Sequence, residues 1–409
     1  MSSSKKKTAI KVIVVLVGVA ALAAALWRLN SFEKTEMVST KGYSYERAIV
    51  TEVVTDNLQE NGERVGYQHI KVRMLTGEHK GEIYDATSSE GNLFGAACHV
   101  SDKVIVTFSV SGDTATVGVY SKDRSAAVIG FVAVFLLFIC LIGGRNGVKS
   151  VLGLVFTFAM IIFMFLPMIY LGMSPFWAAV IVVIVTTIAT MYLIGGNDRK
   201  TLSAILGTTL GVLIAGISAW IFGLVADIDG YNVSDIETLI YLGQNTSIDV
   251  GGLLFAGILI AALGAVMDVA MSVSSAIAEI HDKSPKLGVR QLFRSGMNVG
   301  RDMMGTMSNT LILAFAGGSI SVLVLDYAYD LPMRQILNSY SIGIEIMQGI
   351  AGSIGVILTV PTTAAMAALL YGKIRKPAGA DENDEALETI NTDKNETVIS
   401  GSSSQEAIQ

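Results

Sequence analysis

Seven long apolar runs, nearly free of charge, follow Arg124, and each is about the length a helix needs to cross a bilayer. They read Ala126 to Ile142, Val151 to Leu171, Phe176 to Ile194, Leu202 to Leu224, Val250 to about Ser275, Met303 to Leu325 and Ile344 to Leu370. An eighth, Val12 to Trp27, follows Lys5 to Lys7 and Lys11, the order of either a signal anchor over residues 1–30 or a cleaved signal peptide. No clear small-x-small site follows that run, which favours the anchor. The chain therefore reads as an α-helical polytopic membrane protein with about eight transmembrane helices.

Sidedness follows from the short loops, where Lys and Arg accumulate on the cytoplasmic face. Arg145 and Lys149 lie in the first connection, Arg199 and Lys200 in the third, Lys283, Lys286, Arg290, Arg294 and Arg301 in the fifth, and Lys373, Arg375 and Lys376 after the last run. The alternate loops hold Arg334 alone. Both termini are thus expected in the cytoplasm and residues 31–124 outside. The last six runs also divide into two triplets of opposite sense, a plan compatible with transporters built from inverted repeats.

Residues 31–124 have a different texture. Short alternating stretches, Arg47 to Thr55, Tyr67 to Leu75, Glu82 to Asp85, Lys103 to Val110 and Thr114 to Tyr120, are separated by Asn61-Gly62, Thr76-Gly77 and Ser111-Gly112-Asp113. Five strands in about 90 residues suit an extracytoplasmic small β-barrel of OB-like form, with a small sandwich as the alternative. No base-stacking aromatic platform lies beside a basic groove, so nucleic acid is not an expected partner; docking on the membrane part or on a protein partner is.

The net charge of −6 is local in origin. Residues 377–409 carry eight acidic residues against Lys394 and are nearly free of aromatics, the composition of a disordered acidic tail, and the body left without them, residues 1–376, is close to neutral. Cys98 and Cys140 fall in different segments, which argues against a disulfide framework or a thiolate metal site. Nucleotide-binding loops, HExxH and GxSxG are lacking, the four histidines are scattered, and the methionines from Met267 to Met307 suit core filling better than a copper(I) path. Neither an enzyme, a metal nor a cofactor is indicated.

Two polar loops flank the later runs. Ala226 to Asp249 is acidic and contains Ser234-x-x-Glu237, a capping box for a short surface helix; its acids form either a cation-attracting vestibule or a solvated loop. On the cytoplasmic side, Ser284-Pro285 and Gly296 predict a second short helix, with Arg290 and Arg294 on one face as either an anionic-lipid contact or charges that serve topology alone.

Asp268 is the most costly residue to explain, because a charge at bilayer depth costs about 2.5 kcal/mol or more unless it faces protein or water. Helical spacing puts Asp268, Ser272, Ser275 and Glu279 on one face, and Asp302, Thr306 and Asn309 on another. At about 1.5 Å per residue from Gly252, Asp268 reaches roughly 24 Å into a core about 30 Å thick, and Asn309 lies at a matching depth on the returning run. An antiparallel pair would bring these faces together. Asp268, Ser272, Thr306 and Asn309 are then a proton- or cation-binding site, or else a structural hydrogen bond between two helices. Glu279, Arg301 and Asp302 are expected as interface ion pairs near the cytoplasmic surface. Pro167 and Pro361 predict kinks, with Thr359, Thr362 and Thr363 placed to satisfy freed backbone, and Gly207-x-x-x-Gly211 predicts a close helix contact. Glu345 and Gln348 would line an outer mouth.

The stretch GAVMDVAMSVSSAIAEI, followed by SGMNVGRDMMGTMSNTLILAFAGGS, resembles the YibE/F-like family of bacterial multi-pass membrane proteins. GGRNGVKSVLGLVFTFAMIIFMFLPMIYLGMSP and DRKTLSAILGTTLGV are similar to it as well, so the likeness covers roughly Gly143 to Lys376. The resemblance implies a bacterial plasma-membrane location and a multi-span fold, and it carries no substrate. The expected function is a secondary permease or efflux protein for a small solute or ion, coupled through Asp268. The alternative is a membrane scaffold that recruits partners through the barrel and the cytoplasmic loop.

Overall fold

The computed structural model describes residues 18–36, 42–60, 64–89, 95–111, 114–233 and 236–372. The basic residues of the N-terminal anchor, the Asn61-Gly62 turn, Gly112-Asp113, Ser234 of the expected capping box and the acidic tail lie outside the described residues. The chain divides into two compact units, Ser31–Leu152 and a second that joins the N-terminal segment to Gly153 and beyond.

The first unit holds five strands, β1 (Tyr43–Thr55), β2 (Tyr67–Met74), β3 (Ile83–Ser89), β4 (Lys103–Ser111) and β5 (Thr114–Lys122), closed into a barrel in the order β1-β2-β3-β5-β4. Alternation explains the strands: Gln68, Ile70, Val72 and Met74 of β2 point inward, and Tyr67, His69 and Arg73 point out. β1 serves two neighbours, pairing with β4 through Tyr43–Ile49 and with β2 from Ala48 to Thr55. Bulges between Val50 and Glu52 and between Val53 and Thr55 bend it for that purpose. β3 runs four residues past the expected Asp85, because Ile83 to Ser89 pair continuously with Arg73 to Tyr67. The polar Thr-Ser-Ser end hid that extension from an apolar pattern.

Buried polar side chains of the barrel include Gln68 and Ser88. Gln68 donates through Nε2 to the Cys98 carbonyl and accepts from the Cys98 amide through Oε1, both at 2.9 Å. Both groups are thereby satisfied despite full burial.

After the barrel, α2 (Ser125–Met160) continues through a π-helix, Ile161–Phe165, into α3 (Leu166–Tyr170). α2 is broken at Gly144, whose φ of 53° and ψ of −129° are not helical. The chain turns so tightly there that a Cβ on Gly147 would lie 2.1 Å from the Ile139 carbonyl oxygen, eight residues earlier. In a straight helix those residues stand about 12 Å apart.

The second unit contains α1 (Gly18–Leu29), α4 (Pro175–Gly195), α5 (Arg199–Ala226), α6 (Ile236–Asn245), α7 (Gly251–Lys283), α8 (Val289–Gly318), α9 (Ile320–Ala328), α10 (Met333–Leu337) and α11 (Tyr340–Gly372). Among the described residues, five helical stretches are long and apolar enough to cross a membrane, or six if α8 and α9, bent by 60° at Ser319, form one span. Val212 and Ala215 of α5, Leu259 and Val266 of α7, and Val356 and Val360 of α11 form the middle of one buried core. Leu22, Leu26 and Leu29 of α1 pack against it.

Glycine sets the closest approach in this unit. A Cβ on Gly207 would lie 1.9 Å from Thr363 Oγ1, and one on Gly211 would lie 1.8 Å from Thr359 Oγ1. The expected GxxxG contact is therefore made, and α11 is its partner.

Three expectations about breaks need correction. Gly296 does not end a short helix: α8 starts at Val289, where Gln291 accepts the Gly288 amide at 3.1 Å, and runs through Gly296 to Gly318. Gly296 is buried against Ile277 and Ala364, and Gly300 against Val360, so both are needed for lack of bulk rather than for a left-handed turn. Pro361 lies within an α11 that continues past it, and the nearby hydroxyls donate to Gly355, Leu358 and Thr359 rather than to Ile357, the carbonyl four residues before the proline. At Pro167 the disturbance takes the form of the preceding π-helix.

Candidate functional site

α7 and α8 form an antiparallel pair. Gly296 packs on Ile277, and one glycine of α11, Gly352, meets both Leu311 of α8 and Ala262 of α7. Counting along both helices from these contacts puts Asp268 level with Gly305, and Gly264 level with Asn309. Asp268 and Asn309 thus stand four residues, about 6 Å, apart along the pair.

Ser203 and Ser274 lie against each other, and both reach the Lys200 carbonyl oxygen, at 2.9 and 2.6 Å. Arg199 and Lys200 begin α5 at that point. Asp268 stands six residues further along α7, about 9 Å toward the middle of the unit.

The neighbours of these faces differ from a closed seam. Asp268, Thr306 and Asn309 are exposed, and Ser272 is half-buried. Thr306 donates to the Asp302 carbonyl of its own helix at 3.3 Å. Among the described residues no hydrogen bond joins Asp268 or Ser272 to Thr306 or Asn309. On α7 the exposed stripe runs Gly257, Ala261, Gly264 and Asp268, and on α8 it runs Asn298, Arg301, Asp302, Gly305, Thr306 and Asn309. The buried edge of α8, Leu292, Gly296 and Gly300, faces α7 and α11. The two polar faces are therefore level and outward.

The expected interface ion pairs are rearranged. Glu279 pairs with Lys283 one turn along its own helix at 3.0 Å, because residues four apart are neighbours on a helix surface. Arg301 and Asp302 are exposed and form no ion pair among the described residues. His281 instead turns its ring onto Tyr371, with centroids 5.2 Å apart. Arg290 and Arg294 are exposed, while Leu287, Leu292 and Phe293 pack on the bundle.

A second polar feature was missed in the sequence. The hydroxyls of Thr187 on α4, Thr201 and Thr208 on α5 and Thr363 on α11 are buried without a hydrogen-bond partner among the described residues. The available signal was the matched four-residue spacing of Gly207/Gly211 and Thr359/Thr363. Glu345 is half-buried and Gln348 lies beside the fully buried Met347, near the start of α11.

In the barrel, a shallow groove is lined by Val54, Thr55, His69, Ile70, Asp85, Ala86 and Thr87. Among the described residues no three His, Cys, Asp or Glu side chains are grouped to hold a metal ion.

The family model for the YibE/F-like protein matches residues 131–373, from within α2 to the end of α11, and leaves the barrel outside the match. No curated protein and no solved structure matches the chain.

Proposed function

The chain belongs to the YibE/F-like family, and from that premise we propose that it is a secondary permease or efflux protein for a small solute or ion, coupled to protons or cations through Asp268. The observation that carries this reading is an acidic side chain on an apolar helix, exposed and without a hydrogen bond or ion pair among the described residues. A carboxylate at bilayer depth that the described residues of its own chain leave unbonded is available to bind and release a cation. The scaffold alternative would use Asp268 as a bond to Asn309 or Thr306, and neither bond is formed among the described residues.

In this reading the break at Gly144 divides Ser125–Tyr170 into two spans, with Arg145 and Lys149 at the cytoplasmic turn. Those two, the anchor containing α1, α4, α5, α7, the α8–α9 pair and α11 make up eight crossings in a bacterial plasma membrane. The barrel then lies on the outer side, and its strand order, with β3 and β5 parallel, supports an OB-like form. Comparing the solutes accumulated by a deletion strain and its parent identifies the substrate; equal solute profiles under every gradient imposed would remove the transport reading.

A further inference from the structure

We propose that the outward face of the α7–α8 pair is where two copies of this chain meet, and that the Asp268 site is completed by the second copy. This deepens the transport reading, yet the contact itself is tested without reference to transport.

The face carries both signs of charge. Asp268, Arg301 and Asp302 are exposed on it, and none of them has an ion-pair partner among the described residues. Hydrocarbon offers nothing to the Asp268 carboxylate or the Asn309 amide, since a polar group at that depth has to be satisfied by protein or water. A two-fold contact brings residue i of one copy to residue j of the other and j to i, so a surface with unpaired acids and an unpaired base satisfies itself. Arg301 stands four residues from Gly305, the level of Asp268, and so about one helical turn, 6 Å, below the carboxylate. A guanidinium on its long side chain spans that distance.

The backbone permits the approach. A Cβ placed on Gly257, Gly264 or Gly305 would meet nothing within 4 Å, so the centre of the face is open, and small residues there allow two helices to close on each other. Gly296 and Gly300 of α8, in contrast, are already filled by Ile277 and Val360 of the same chain.

The test uses the full chain, purified and reconstituted alone in lipid vesicles. Gly264→Cys, Gly305→Cys and the two mixed are oxidised, with Ile217→Cys, on an exposed part of α5, as the control for random collision. At least one of the three should form disulfide-linked dimers well above the control. Single-molecule photobleaching of the unsubstituted chain should give two steps. Asp268→Arg should weaken the association about threefold to twentyfold, and Asp268→Arg with Arg301→Asp should restore it. Cross-linking at the control level for all three, or single-step bleaching, overturns the proposal, including the case where a different membrane protein occupies the face. Dimerisation that survives while solute profiles stay unchanged would sink the transport reading and leave the contact standing.

Discussion

The side-chain amide of Asn30 donates to the Phe163 carbonyl oxygen at 2.8 Å, and the same nitrogen donates to the Leu26 carbonyl at 2.8 Å. Phe163 lies four residues before Pro167, which has no amide hydrogen to offer it. The end of α1 thus supplies a donor that the helix itself lost.

Asn30→Leu should therefore lower the thermal midpoint of the detergent-solubilised chain, by the equivalent of about 0.5–1.5 kcal/mol. In a Pro167→Ala background, where the amide returns, the same change should cost less. Equal costs in both backgrounds would show that Asn30 does not compensate for the proline.

Glycine substitutions should have opposite signs at two positions. Gly207→Ala sets a methyl 1.9 Å from Thr363 Oγ1 and 2.8 Å from its Cβ, so turning the hydroxyl away does not relieve the overlap. A loss of about 1–3 kcal/mol is expected, outweighing the helix-propensity gain. Gly130→Ala, with open space around it, should instead stabilise by about 0.5–1 kcal/mol. Thermal midpoints of both variants check the pair, and a stabilised Gly207→Ala would contradict the α5–α11 contact.

The barrel should weaken in acid. The hydrogen bond from Lys122, at 2.8 Å, holds the Asp102 carboxyl below the usual carboxylate range, with the His99 amide at 3.0 Å adding to it. Ser125 does the same for Asp123. A depressed folded pKa gives stability that is present above the unfolded value of about 3.9 and is lost as pH falls through the folded value. Hydrogen exchange of β4 and β5, corrected for intrinsic rates, should lose protection below about pH 4, and Asp102→Asn should flatten that dependence. Protection unchanged down to pH 3 would contradict the pairing.

Much of this fold was legible in the chain. Apolar run length announced the helices, and alternation in HIKVRM and KVIVTFSV announced β2 and β4, because both patterns report burial directly. Glycine was harder to read. Gly296 looked like a helix end and is a packing site, because the letter does not say whether freedom of φ or lack of bulk is being used, whereas the break at Gly144 falls in the connection expected between the first two runs. The candidate site was half legible: periodicity grouped Asp268 with Ser272 and Thr306 with Asn309, and the two groups stand on neighbouring helices within about one turn of each other. Periodicity does not say what a face meets, so the outward direction of both stripes was hidden. The buried threonines were hidden too, since a hydroxyl inside an apolar run reads as neutral.

The account turns on Asp268 being a working carboxylate. The most direct measurement compares solute accumulation in the deletion strain complemented with the unsubstituted chain, with Asp268→Asn and with Asp268→Glu, at equal amounts of inserted, folded protein. The account predicts that the asparagine variant matches the empty strain and that the glutamate variant retains part of the activity. Full activity of Asp268→Asn with a merely lowered melting temperature would contradict it.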